Sequence, residues 1–163
     1  MKGERLMERQ MRRKDRQLTN EETMMILEKC QYGVLSTISE DGTPYGVPVS
    51  YALVDGKVCF HCAKGKGHKF ENLMHCDAVS FTVIGETEVL PSDFGTKYES
   101  AIVFGKAVKL EEGEEKRKAL EGLIDKYSSE FRPAGLEYIA KAGMATDVFV
   151  IEPERITGKA RRK

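Results

Sequence analysis

The sequence predicts a mainly β fold, with six or so antiparallel strands and short helices between them curled into a closed or partly closed barrel. Three observations lead there. Tyr45, Val47, Val49, Tyr51 and Leu53 alternate with Gly46, Pro48, Ser50 and Ala52, the two-residue period of a half-buried strand. Asp55-Gly56 separates that run from a second apolar run, as a tight hairpin turn would. The 163 residues suit one domain with its own core, and a sheet of this size leaves fewer bare edges if it closes on itself.

The elements follow in order. Thr19-Asn-Glu-Glu22 offers an N-cap with early acidic residues, and Met24, Leu27 and Cys30 recur at helical spacing, so a first helix is expected over residues 21–30. Residues 32–38 are rich in strand formers, Glu40-Asp-Gly-Thr-Pro44 turns the chain, and the alternating strand covers residues 45–54. A third strand spans residues 57–62, a helix residues 69–75 and a fourth strand residues 78–84. A loop through Leu90-Pro-Ser-Asp-Phe-Gly95 then leads to a long strand over residues 98–110. Ala119, Leu120, Leu123, Ile124 and Tyr127 keep helical period, and a short helix over residues 136–141 precedes a last strand over residues 146–151. No repeat or low-complexity linker interrupts the chain. The expected organisation is a flexible polar arm over residues 1–17, one domain over 18–158 and a basic tail over 159–163. Local pattern leaves the strand order open.

Composition excludes several classes. Lysine plus arginine equal aspartate plus glutamate at 26 each, so no global field gathers nucleic acid. The basic runs Met11-Arg-Arg-Lys-Asp-Arg16 and Lys159-Ala-Arg-Arg-Lys163 lack interleaved aromatics and read as frayed polar ends. Residues 1–17 are charged throughout with no apolar h-region, and no run is long and apolar enough to cross a bilayer, so a cytoplasmic protein without a membrane partner is expected. Cys30, Cys59, Cys62 and Cys76 would then be thiols.

The chemistry concentrates in Cys59-Phe-His-Cys-Ala-Lys-Gly-Lys-Gly-His-Lys-Phe-Glu-Asn-Leu73, a strand that runs into a loop of two glycines and then a helix. Glycines let backbone N–H groups turn toward an anion, Lys64, Lys66, His68 and Lys69 supply charge, and the helix aims its positive dipole end at the same place. A phosphate ligand is one reading and a solvated surface turn the other. The spacing is neither a Walker A loop nor a dinucleotide fingerprint. Cys59-Phe-His-Cys62 has the form of a zinc or redox pair. In a strand, however, positions three apart face opposite sides, so the two thiols do not converge on a metal.

Pro48 lies inside an otherwise regular strand and cannot donate to a ladder, so its surroundings are an edge or a bulge. Backbone groups of Val47, Pro48, Val49 and Ser50 would be open to a ligand. The small face of Gly46, Pro48, Ser50 and Ala52 would let a flat ring lie close, or let a neighbouring helix pack.

These segments together carry a resemblance. Tyr32-Gly-Val-Leu-Ser-Thr, Gly42-Thr-Pro-Tyr-Gly-Val-Pro-Val-Ser50, Phe60-His-Cys-Ala63 with Gly67-His-Lys69, Tyr98-Glu-Ser-Ala-Ile-Val-Phe-Gly105 and Ile156-Thr-Gly-Lys-Ala160 resemble the flavin-binding split barrels related to pyridoxamine 5′-phosphate oxidase. More narrowly they are similar to the branch named for 5-nitroimidazole resistance. The resemblance implies a six-stranded antiparallel split barrel that forms a homodimer with FMN between the subunits. It also implies that the strand of Val47, Pro48, Val49 and Ser50 runs beside the flavin ring, and that His61, Cys62, Lys66, His68 and Lys69 flank the ribityl chain and phosphate. Ser100 would reach the flavin from the partner chain. The oxidases' Arg-Lys pair is His68-Lys69 here, and their substrate-phosphate residues have no counterpart in residues 155–163, so vitamin B6 oxidation is not expected. Which of Lys64 and Lys66 reaches the phosphate stays open.

The implied activity is an FMN-dependent oxidoreductase that passes electrons to a small planar acceptor such as a nitroimidazole, with His61 as the catalytic candidate. The alternatives are a packing role for His61, and a protein that carries FMN or haem without turnover.

Overall fold

A computed structural model, which describes residues 10–162, places seven antiparallel strands in one sheet. They are β1 (Tyr32–Ile38), β2 (Pro44–Ser50), β3 (Ala52–Val54), β4 (Lys57–Ala63), β5 (Ala78–Leu90), β6 (Gly95–Lys109) and β7 (Thr146–Arg161). The order is β2-β1-β5-β6-β7-β4-β3. β2 and β3 lie at opposite ends of that order yet only Tyr51 separates them in sequence, so the curled sheet closes through one residue. Seven strands are therefore the expected six with one interruption.

The interruption has a visible cause. It lies in pairing and not in parity, since Tyr51 and Leu53 join Val47 and Val49 in the main core while Ala52, opposite Cys59, keeps the outward small face and is buried there by α3. The Tyr51 hydroxyl donates to the Leu27 carbonyl at 2.5 Å, and burial raises its pKa. The backbone of Tyr51 finds its partner in a side chain. The Tyr127 hydroxyl accepts from the Tyr51 N–H at 2.9 Å and offers its single proton to the carbonyls of Tyr51 and Gln31.

Among the described residues four α-helices precede or connect the strands, α1 (Asn20–Lys29), α2 (His68–His75), α3 (Glu114–Tyr127) and α4 (Arg132–Ala142). At α1 the Thr19 hydroxyl accepts from the Glu22 N–H at 3.2 Å and the Glu22 carboxylate accepts from the Thr19 N–H at 3.0 Å, a complete capping box. None of the helices among the described residues is long and apolar enough to cross a membrane.

Inward residues of the sheet, among them Leu35, Phe60, Phe81, Val83, Phe149 and Ile151, join Ile26 and Leu27 of α1 in the main core. Each large side chain so buried contributes about 1.5–3 kcal/mol. A second cluster forms on the outward side, where Ala119 and Leu120 of α3 pack on Cys59, Val148 and Val150.

Three expectations are corrected. The loop placed before Gly95 is a hairpin tip, because β5 runs on to Leu90 past a bulge between Ile84 and Thr87 and pairs with β6 to the end. β7 does not stop at Ile151 but continues to Arg161 beside β6. Outward Arg155, Thr157 and Lys159 interrupt the apolar signal there, while inward Ile156, Gly158 and Ala160 keep the alternation. The two basic runs do not fray over their described residues. Gln17 bridges to Lys159, and the Leu18 N–H donates to the Gly158 carbonyl at 3.0 Å.

Candidate functional site

β4 carries its side chains by strand parity. Phe60 and Cys62 face the main core, whereas Cys59 and His61 face outward. The two thiols of Cys59-Phe-His-Cys62 thus lie on opposite faces of the strand, and burial pushes the Cys59 thiol up to about 11.

The loop that follows is built on glycine. Gly65 and Gly67 have φ of 65° and 100°, the left-handed region in which a side chain would be strained. Its anchor is Asp147 at the start of β7. This buried carboxylate accepts from the Gly65 N–H at 2.8 Å and pairs with Lys109 at 3.2 Å. Burial raises its pKa, but the Gly65 hydrogen bond and the Lys109 ammonium outweigh that and hold it below the ordinary aspartate value. The Gly65 amide is therefore committed to the protein. So is Lys64, whose ammonium donates to the Met144 carbonyl at 3.0 Å and pairs with Glu112 at 3.7 Å.

What remains for an anion is the second half of the loop. Gly67 caps α2 without a side chain, and the first helical bond is Glu71 N–H to the Gly67 carbonyl at 3.0 Å. The amides of His68, Lys69 and Phe70 are first-turn donors with no intrahelical acceptor. Lys66 is exposed and makes no ion pair among the described residues. This donor set fits a phosphate group.

Lys69 reaches from α2 to β4, donating to the His61 carbonyl at 3.0 Å and lying 5.6 Å from the centre of the Phe60 ring. Burial lowers its pKa. The His61 ring is open to solvent on one side and makes no hydrogen bond among the described residues. The protein around its other side lowers the His61 pKa, and the Lys69 charge adds to the shift, so the neutral imidazole is favoured. His68 turns toward the β1–β2 turn, with its Nε2 3.0 Å from the Ser39 hydroxyl and its ring 4.0 Å from that of Tyr45.

β2 is an edge of the sheet as paired by β1 alone, and Pro48 sits in register opposite Val34 with no bulge. Val47 and Val49 point inward, while Pro48 and Ser50 point outward and are exposed. His61, Lys66, His68 and Lys69 are thus brought together around the N-terminus of α2, with His68 against Tyr45 of β2. Cys62 is turned away into the core. Ser100 is elsewhere, on the outward face of β6 between Ile84 and Lys159. The sequence reading missed Asp147, Tyr45 and Ser39. A lone acid in the apolar run Thr146-Asp-Val-Phe-Val-Ile151 was the one available signal.

The family model for pyridoxamine 5′-phosphate oxidase matches residues 19–160. The chain belongs to this family. No match was found among curated proteins. Among solved structures, the fold is similar to a conserved hypothetical protein of Mycobacterium tuberculosis, at TM-score 0.76 and 21% identity over 94% of this chain and 91% of that one. A Bacteroides thetaiotaomicron protein named for 5-nitroimidazole antibiotic resistance aligns at TM-score 0.72 and 21% identity, covering 88% and 86%. The FAD and heme binding protein of Mycobacterium smegmatis aligns at TM-score 0.67 and 18% identity, covering 91% and 74%. At these identities the likeness is one of fold, and it agrees with the split-barrel expectation.

Proposed function

We propose that this chain is an FMN-binding oxidoreductase that passes electrons to small planar acceptors, nitroimidazole-type compounds among them. The observation that carries the reading is the anion-ready first turn of α2, with Lys66 and Lys69 beside the outward His61 and the exposed edge of β2, in a chain of this family. The names of its structural neighbours, which include FAD and heme binding, support a redox cofactor. FMN would supply the electron chemistry.

The chain's own residues would do the rest. The amides of His68 and Lys69 with the Lys66 ammonium would hold the phosphate, and β2 would offer a flat edge to the ring. His61, kept neutral, would be able to accept a proton beside it. In a homodimer, Ser100 of a second copy would complete the pocket, because within one chain it stands apart from the loop.

The purified protein should hold FMN at one site per chain, and the bound flavin should be reoxidised by a nitroaromatic or quinone after anaerobic reduction. A Soret band in place of the flavin spectrum would favour the second reading, a haem carrier with His61 as ligand. The His61 ring, without a hydrogen bond among the described residues and with a lowered pKa, is the feature that keeps this reading in view.

A further inference from the structure

The two basic runs at opposite ends of the sequence meet at the far end of β7. Arg13, Arg16, Arg161 and Arg162 line a cavity of about 440 Å³ together with Asp15 and Glu22. A neighbouring cavity of about 510 Å³ shares Gln17 with it and is lined by Lys14 and Arg155. Four guanidinium groups against two carboxylates make a positive hollow in a chain whose formal charge is zero.

Both carboxylates are already engaged. Arg13 holds Asp15 through two bonds of 2.8 and 2.5 Å, and Arg162 holds Glu22 at 2.7 Å while Glu22 also caps α1. Arg16 is different. It donates to the Tyr98 hydroxyl at 3.4 Å and makes no ion pair among the described residues. Lys159 lies 5.7 Å from the centre of the same Tyr98 ring. A guanidinium whose partner is a weak neutral acceptor is free to exchange it for an oxyanion, which it binds through two parallel N–H groups.

The size is that of a small-molecule pocket. The next hollow sets Glu86, Glu88 and Glu99 against Lys97, Arg161 and Arg162, so an extended polyanion crossing the site would gain no net attraction there. A compact anion would forgo nothing. We propose that the joined termini form a binding site for a small, multiply charged oxyanion of the diphosphate class, with Arg16 as its central donor.

This goes beyond the flavin reading, and within one chain the two sites lie at opposite ends of β7. The Lys64–Lys69 loop follows Ala63, which pairs with Thr146 at the start of β7, whereas Arg161 ends that 16-residue strand.

Inorganic pyrophosphate titrated calorimetrically into the full chain should show one saturable site that weakens with added salt. Arg16→Ala should weaken it roughly tenfold or more, the loss of a charge-assisted pair, and Lys69→Ala should leave it unchanged. Thermal melting should show that the variants fold. If Arg16→Ala melts early, Arg162→Gln carries the same expected loss. The absence of saturable binding at low salt would overturn the site, as would retention in Arg16→Ala with loss in Lys69→Ala, which would move the anion to the loop. A single-stranded oligonucleotide that binds more tightly than pyrophosphate would also overturn it, in favour of an extended polyanion.

Discussion

Over β4 and β7 the outward side chains Cys59, Val148 and Val150 are buried beneath α3, whereas over β1, β2, β5 and β6 the outward Ser36, Pro48, Thr82 and Ile102 stand exposed or half-exposed. The two halves belong to one continuous sheet, so the difference lies in side chains and not in backbone. The covered half is apolar and matched to Ala119 and Leu120. The bare half reads across the strands as Pro48, Val34, Thr82, Ile102 and Thr157 in one row and as Gly46, Ser36, Ser80, Phe104 and Arg155 in the next. Small and hydroxylated groups alternate there with exposed Phe104 and, nearby, Ile84. The α3 half is closed by the chain's own helix. The bare half is the face that the proposed homodimer would cover, bringing Ser100 to the flavin of the other subunit.

The largest effect should come from placing one charge on each half. Val148→Asp leaves a buried carboxylate without a partner beneath α3 and should cost about 3–5 kcal/mol in urea unfolding. Ile102→Asp should keep the far-ultraviolet spectrum but convert a sedimenting dimer to monomer. If Ile102→Asp unfolds the chain, or leaves its association state unchanged, the assignment of the bare half fails.

Next in size is the loop. Lys66→Ala should weaken FMN retention by about 1–3 kcal/mol, read by fluorescence titration. Unchanged affinity would make residues 64–69 a surface turn.

Asp147→Asn sharpens the same point through the anchor rather than the ligand. The amide oxygen can still accept from Gly65 but no longer pairs with a charged Lys109, so a loss of about 1–3 kcal/mol in stability at neutral pH is expected. Because the folded pKa of Asp147 lies below the ordinary aspartate value of 3.8, its contribution is present above that pH and is lost as pH falls through the folded value. Urea unfolding between pH 5 and 2 should therefore show a smaller acid-induced loss in Asp147→Asn than in the wild type. Identical slopes would remove Asp147 from the account.

The smallest effect is at His61. Burial first and Lys69 second lower its pKa from 6.5, so its proton resonances should titrate below that value and move back toward it in Lys69→Ala. A His61 that titrates at its ordinary value in both proteins would separate it from Lys69.

How much of this was legible depended on whether a side chain's role is local. The strand parity that parts Cys59 from Cys62, the Thr19 cap and the edge position of Pro48 follow from spacing within a few residues, and the structure agrees with each. The loop was legible as a loop. Its division into a committed half at Lys64 and Gly65 and an open half at Lys66 to Lys69 was not, because Asp147 and Met144 arrive from about eighty residues away. The break at Tyr51 was hidden for the same reason, since Tyr127 supplies its partner. The last ten residues of β7 escaped because charged outward residues mask a strand whose inward face is Ile156, Gly158 and Ala160.

The Tyr127 hydroxyl has a consequence in time. β1 and β2 form a hairpin with a short turn, and β3 and β4 form another around Asp55-Gly56, so both can assemble from near neighbours. The seam between them is fastened from a helix distant in sequence, through the Tyr127 hydroxyl, and the Tyr51 amide reports whether that helix is docked. In Tyr127→Phe that amide should exchange its hydrogen far sooner than its neighbours in β1, marking a place where this barrel is fastened and not woven.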